Sequence, residues 1–302
     1  MSKFLIHVGY PKCGSCFLGE WFHRHPSFVF EDFKFAGFKS TSDFCKVALS
    51  ERKHVKYFVI RDMIFSCPII NELHGVSNIN EYQEKICKAL YEFYPDSKIL
   101  IVTRGFESTL ISNYIQYVKE GGTLSFKERL IGNMQIKWIM YNYTFLIELY
   151  CRYFGKENII VVPYELLKEN SKTFLNYLEE KLGIPATDFE LGNFNTSLPL
   201  SIIYSLRKLN IFIHKFAKNT GLPGKFILKL YLKNLDSKKT ASKNKFILSR
   251  VLSFFYNKKE DTRIPRELIP QTILDKFEKF GSILKEYEIY RNYFNEYYQK
   301  DQ

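Results

Sequence analysis

The sequence predicts an α/β fold in which helices cover a central parallel sheet. Three observations carry this expectation. Four short runs, Phe4–Val8, Lys56–Ile60, Lys98–Val102 and Asn158–Val162, are rich in Ile and Val and nearly continuous in apolar residues. A parallel strand buried on both faces reads this way. Longer stretches with helical spacing separate the runs, and strand alternating with helix is the pattern of a parallel α/β sheet. With 302 residues, 46% hydrophobic and 25% charged, the chain is long and apolar enough for a packed core, which excludes a disordered chain.

The helical stretches follow in order. Phe17 to His25 comes directly after the first strand. Glu81 to Tyr94 precedes the third, with Ile86, Leu90 and Phe93 at helical spacing. Ser125 to Tyr153 reads as one long helix with Leu130, Met134 and Trp138 on one face. Glu165 to Leu182 ends at Gly183, a C-cap before Ile-Pro. Beyond Leu198 the pattern is helical and basic. Tyr204, Leu206, Leu209, Phe212, Ile213 and Phe216 form an apolar stripe, and the last helix runs from about Pro270 to Tyr290. The expected organisation is one domain over 1–302, a core at 1–197 and a helical basic elaboration at 198–302.

Charge is distributed unevenly. From Arg207 to Lys259 there are fourteen Lys or Arg and one acid, Asp236, a net of +13 against +12 for the whole chain, so the rest is nearly neutral. Such a region suits an anionic partner: a nucleotide, an acidic polymer or a membrane surface. A solvated basic face is the plainer account, and both stay open. No run reaches the roughly 18 apolar residues of a membrane span, and no signal peptide is visible. A cytoplasmic location is expected. The six cysteines, Cys13, Cys16, Cys45, Cys67, Cys87 and Cys151, are scattered along the chain and read as reduced thiols.

The strongest motif is Gly9-Tyr-Pro-Lys-Cys-Gly14-Ser15-Cys16, entered from a strand and left into a helix. Backbone N–H groups and the helix dipole make such a turn an anion cradle. Gly14 lets the backbone approach the anion. The Gly9-x4-Gly14 spacing matches the first half of a Walker A loop, but Ser15 follows Gly14 directly and the lysine, Lys12, lies inside the loop. A nucleoside triphosphate needs a metal to offset its charge; the inward lysine suits a bisphosphate. Cys13-x-x-Cys16 at a helix start is also a redox pattern. A thioredoxin-like fold needs an earlier β-α unit, however, and only eight residues precede Gly9. A zinc site lacks a second ligand pair.

A second motif follows the third strand: Thr103-Arg104-Gly-Phe-Glu-Ser-Thr-Leu-Ile-Ser112-Asn-Tyr114. Arg104 ends a parallel strand, on the edge where α/β sheets bind ligands, and a guanidinium matches phosphate bidentately. A strand-end salt bridge and a solvent-facing serine are the plainer account.

Together these motifs resemble the sulfotransferases that use 3′-phosphoadenosine-5′-phosphosulfate (PAPS). Pro11-Lys12-x-Gly14-Ser15 is similar to their 5′-phosphosulfate loop, with Cys13 and Cys16 where small hydroxyl residues are usual. Arg104, Ser112 and Tyr114 fall in register with their R-x-P-x(5)-S-x-Y pattern, with Phe106 at the proline. Ile159-Ile-Val-Val-Pro-Tyr164-Glu165-Leu-Leu with Leu182-Gly-Ile-Pro185 resembles their Y-E-D-L and L-G-I segment. Asn195-Thr-Ser197 and Leu206-Arg207-Lys-Leu-Asn210 resemble a downstream segment. The resemblance runs from Lys3 to Asn210 and implies a P-loop-like three-layer α/β/α fold.

It also implies a site. Pro11, Lys12, Cys13, Gly14, Ser15 and Cys16 would hold the 5′-phosphate, Arg104 and Ser112 the 3′-phosphate, with no metal. Lys12 would be catalytic, offsetting charge on the bridging oxygen as the sulfuryl group passes in line to an acceptor hydroxyl or amine. A base is needed. Asp62, after the second strand, is the first candidate, then Glu31, Asp32 and His54; the family's Lys-x-His or Lys-Glu signature is missing. His7 reads as a core residue. The product would be 3′-phosphoadenosine 5′-phosphate (PAP). The acceptor would be a glycan, glycolipid or small metabolite, and nucleic acid is not expected. The basic region 207–259 would close over the donor, with Lys238 or Lys239 reaching it, or touch a polysaccharide or membrane. A nucleotide kinase-like P-loop enzyme and a non-catalytic nucleotide- or anion-binding protein are the alternatives.

Overall fold

The computed structural model describes residues 3–30, 55–67, 78–131, 139–188, 200–221, 229, 231 and 269–298. Five parallel strands form one sheet: β1 (Lys3–Val8), β2 (Phe28–Val29), β3 (Tyr57–Asp62), β4 (Lys98–Thr103) and β5 (Ile159–Pro163), in the order β2-β3-β1-β4-β5. The four runs read from the sequence are β1, β3, β4 and β5, each within a residue or two of its expected ends. β2 was not foreseen, because two residues carry no periodicity.

Helices α1 (Ser15–Arg24), α2 (Ile79–Phe93), α3 (Phe106–Lys119), α4 (Phe126–Ile131), α5 (Tyr143–Phe154), α6 (Tyr164–Glu169), α7 (Ser171–Leu182), α8 (Leu200–Thr220), α9 (Gln271–Phe280) and α10 (Phe294–Tyr297) complete the described elements, with short 3-10 turns between some of them. Alternate residues of β1 face opposite ways: the His7 ring lies 6.2 Å from Phe22 of α1, and Phe4 lies 4.5 Å from Tyr94 at the end of α2. Helices thus cover both faces. Leu5, Ile6 and Val8 of β1 and Ile99 to Val102 of β4 are fully buried, as expected of central strands.

Three helical expectations need correction. The long helix expected over Ser125–Tyr153 is interrupted at Asn142, whose Oδ1 accepts from Phe145 N at 3.1 Å and starts α5 afresh; Met134 and Trp138 lie outside the described residues. The helix expected over Glu165–Leu182 breaks at Asn170, whose side chain caps Thr173 N at 3.0 Å. Apolar spacing runs through both breaks, while the caps are local hydrogen bonds that periodicity does not record. The helix expected to Tyr290 ends at Phe280, and 3-10 turns at Ser282–Glu286 and Glu288–Tyr293 follow. Gly183 ends α7 with φ 59, the left-handed cap the sequence announced.

The chain clusters into two compact units. The first holds residues 1–106, 136–195 and 271–302, the second 107–135 and 196–270. The described C-terminal residues therefore pack with the sheet: Tyr290 and Tyr297 hydroxyls meet Thr103 Oγ1 at 2.7 and 2.9 Å. In the second unit, buried Asn210 donates Nδ2 to the carbonyls of Val118 and Gly122, both at 2.8 Å, and Arg207 Nε donates to Thr123 O at 2.9 Å. The apolar stripe of α8 is only half core: Leu206 and Leu209 are buried, but Phe212 and Phe216 are 57% and 38% exposed. Among the described residues no helix is long and apolar enough to cross a membrane.

Candidate functional site

β1 and β4 are neighbours, and the strand order reverses between them. The chain leaves β1 toward β2 and β3 and returns on the other side as β4 and β5. The C-terminal edge at such a switch point is where α/β sheets hold ligands. The Gly9–Cys16 loop leaves β1 there, and Arg104 leaves β4 there.

The exit of β1 is pinned on both sides. Gly9 N donates to Asp62 O at 3.4 Å, and Ser66 Oγ donates to Gly9 O at 2.6 Å. Gln83 Nε2 of α2 in turn donates to Ser66 O at 2.8 Å. Two residues of the loop are left-handed: Lys12 at φ 65 and Gly14 at φ 77. For a lysine this conformation costs about 1–2 kcal/mol and persists only where neighbours hold it. Arg104 holds it here, donating from Nη1 to Lys12 O at 2.8 Å.

Gly14 has a second reason to be glycine. A Cβ there would fall 2.6 Å from Leu167 Cδ2 and 3.4 Å from Tyr164 Cδ2. Without a side chain, Gly14 provides no side-chain cap for α1, and the first turn of that helix has no acid. The helix therefore begins with amides that no side chain caps, beside the half-buried Ser15.

Arg104 is buttressed from beneath. The Tyr143 hydroxyl accepts from Arg104 N at 3.2 Å and donates to Arg104 O at 2.8 Å. Its ring meets Tyr10 of the loop edge-on at 5.0 Å. The guanidinium lies over the Tyr164 ring, 4.7 Å from its centroid. Next door, Glu165 accepts from Gly105 N at 2.9 Å and from Tyr297 OH at 2.8 Å. Burial raises the Glu165 pKa, against those two donors. The Tyr164–Glu165 segment thus packs against the loop glycine with one residue and supports the residue after Arg104 with the next. Neither Tyr143, Tyr290 nor Tyr297 was singled out from the sequence, since an aromatic at helical spacing reads as core.

The structure brings together Pro11, Lys12, Cys13, Gly14, Ser15 and Cys16 with Arg104 and places Asp62 beside them at the end of β3. Asp62 Oδ1 accepts from Ile64 N at 3.1 Å, capping the turn that follows. Ser112 is buried on α3, in the second unit, whereas Arg104 belongs to the first. Glu31, Asp32, His54, Lys238 and Lys239 lie outside the described residues, as do Cys45 and residues 195–197. Cys13 is buried, and burial pushes its thiol pKa up against the pull of Arg104, the reverse of an activated redox cysteine. Cys16 is exposed. His7 is buried as expected, with neither ring nitrogen hydrogen-bonded, and burial, with Arg61 adding, pulls its pKa down to about 3. Among the described residues no group of three His, Cys, Asp or Glu is placed to hold a metal ion.

The family model described as "Sulfotransferase family" matches residues 83–188, a span that contains Arg104, Ser112 and the Tyr164–Glu165 segment. Among curated proteins none matches. Similar solved structures include a sulfotransferase from Alicyclobacillus acidocaldarius, 17% identical, with 77% of this chain and 96% of that one covered and a TM-score of 0.48. Another is mouse sulfotransferase SULT7A1 complexed with PAP, also 17% identical, covering 62% of this chain and 60% of that one at a TM-score of 0.37. The segment 83–188 is similar to the same family that the Gly9–Cys16 loop resembles.

Proposed function

We propose that the protein is a PAPS-dependent sulfotransferase whose donor site is the C-terminal edge of β1 and β4. The observation that carries this is the hydrogen bond from Arg104 Nη1 to Lys12 O. It joins a backbone anion cradle to a guanidinium, at one edge and within one unit, as a ligand with two phosphate groups requires. The residues fit such a ligand. Gly14 lacks the Cβ that would collide with Leu167, Arg104 supplies a cation held over Tyr164 and Lys12 a second one from the loop, and a bisphosphate presents less terminal charge than a triphosphate.

PAPS, when bound, supplies an activated sulfuryl group on a phosphate leaving group. Lys12 stabilises the negative charge that collects on the bridging oxygen as the S–O bond to phosphate breaks. The loop amides and Ser15 hold the 5′-phosphate, and Arg104 holds the 3′-phosphate. Ser112 is assigned to the 3′-phosphate by the family pattern and is tested by Ser112→Ala. Asp62, at the end of β3, takes the proton of the acceptor hydroxyl or amine as the new S–O or S–N bond forms. The acceptor is a glycan, glycolipid or small metabolite, and the reaction is cytoplasmic.

A kinase-like reading predicts Mg²⁺-dependent ATP binding. The position of Lys12 before Gly14, and Ser15 where that lysine would stand, favours the bisphosphate. Calorimetry with PAP and with ATP–Mg²⁺ separates the two: tight PAP binding without metal is expected, and binding of ATP–Mg²⁺ with none of PAP overturns the proposal. Transfer of label from PAPS to a panel of glycans, lipids and phenols then separates an enzyme from a binding protein.

A further inference from the structure

Arg61 lies one residue before the end of β3 and is paired in register with His7 of β1. Its side chain crosses the face of the sheet to α1. There Nη1 donates to the Ser15 carbonyl oxygen, and the guanidinium carbon lies 5.0 Å from the centroid of the Phe30 ring. The Ser15 carbonyl belongs to the first turn of α1, the turn whose amides open onto the loop.

The guanidinium can lie there only because residue 19 has no side chain. A Cβ on Gly19 would fall 2.6 Å from Arg61 Nη1 and 3.3 Å from Cζ. Gly19 is buried in the middle of α1 and has no positive φ to justify it. Mid-helix glycine is a poor helix former, so its place here is explained by the room it leaves. Arg61, Gly19 and Ser15 form one device: a cation from the neighbouring strand passes through a gap in the helix to reach a carbonyl at its start.

We propose that Arg61 is a positioning residue that clamps the first turn of α1, and with it Ser15, in the geometry that receives the 5′-phosphate, and that Gly19 is the gap that admits it. The choice of ligand rests on the sulfotransferase reading; the clamp itself does not.

Gly19→Ala is the incisive variant. The added methyl displaces a flexible guanidinium, not backbone, while alanine favours the helix, so the fold is kept. Full-length wild type, Gly19→Ala, Arg61→Ala, Arg61→Lys and the Gly19→Ala/Arg61→Ala double variant would be compared by PAP calorimetry, thermal melting and amide hydrogen exchange without ligand. Each alanine variant should weaken PAP about 10-fold, and the double variant no more than either, because both remove one interaction. Arg61→Lys should recover part of the loss, and the Gly19→Ala melting temperature should equal or exceed that of wild type. Amides of Cys13–Leu18 should exchange about 10-fold faster in Gly19→Ala and Arg61→Ala, with β4 and β5 unchanged. Losses that multiply in the double variant, or PAP affinity and exchange both within 2-fold of wild type, overturn the clamp. If wild type does not bind PAP, the functional reading fails, while the exchange data still decide the clamp.

Discussion

Two neighbouring strands end at the same edge of the sheet, and they build the elements that follow in opposite ways. β1 ends in backbone. Gly9, left-handed Lys12 and left-handed Gly14 turn the chain from the strand into the uncapped start of α1. β4 ends in a side chain. Arg104 projects from a backbone that Tyr143 grips at both N–H and C=O, over the Tyr164 ring. A cradle of amides needs little room and depends on glycine. A guanidinium needs rigid support and depends on the aromatic and carboxylate groups packed beneath it. The two are coupled, since Arg104 also fixes the Lys12 carbonyl. Damage to the side-chain element should therefore reach the backbone element, and the reverse effect should be smaller.

The largest expected effect tests that coupling. Arg104→Ala should weaken PAP by about 100-fold or more, since charged hydrogen bonds contribute roughly 1.5–3 kcal/mol each and the loop loses its tie as well. Calorimetry checks this, and a loss under 5-fold would separate the two elements. Lys12→Ala should lower kcat for sulfuryl transfer by about 100-fold or more and weaken PAP far less, because its charge acts on the oxygen that becomes negative. Steady-state kinetics and PAP calorimetry read the split, and weakened PAP with kcat unchanged would place Lys12 in binding alone.

Gly14→Ala should cost about 1–3 kcal/mol of stability from the left-handed backbone. Leu167→Ala in the same chain should return only the part due to the 2.6 Å contact. Denaturant melts of the single and double variants measure both parts.

A smaller effect concerns pH. His7 is buried with its pKa pulled down to about 3. Its folded pKa lies below the unfolded value near 6.5, so the unfolded chain takes up a proton that the folded chain refuses. Stability then declines as pH falls from about 6.5 toward 3, by at most about 1.4 kcal/mol per pH unit. His7→Leu should flatten that slope in melts at pH 5 and 7. The smallest change is expected of Cys16→Ser, which introduces a hydroxyl at an exposed helix position and should tighten PAP only a few-fold.

Much of this edge was legible beforehand. Continuous Ile and Val runs announced four strands because burial on both faces leaves no polar position. The glycine spacing announced the loop because left-handed turns tolerate few other residues. Asn142 and Asn170 were read through, since a capping asparagine differs from a helical one only by a local hydrogen bond. Phe212 and Phe216 were placed in an apolar stripe that the helix leaves exposed, because periodicity names a face without saying what covers it.

The chain's sequence alone determined four of the described strands, the loop after the first and the strand-end arginine. These depend on residues close together in the chain, where spacing and backbone preference act directly. Only the tertiary structure decided that β1 and β4 are adjacent, that Tyr143 and Glu165 support Arg104 and the residue after it, and that Arg61 passes Gly19 to reach Ser15. Those contacts join residues distant in the chain, as does the bond between Lys12 and Arg104, 92 positions apart. No local pattern specifies them, because they exist only once the sheet has brought distant strand ends to one edge.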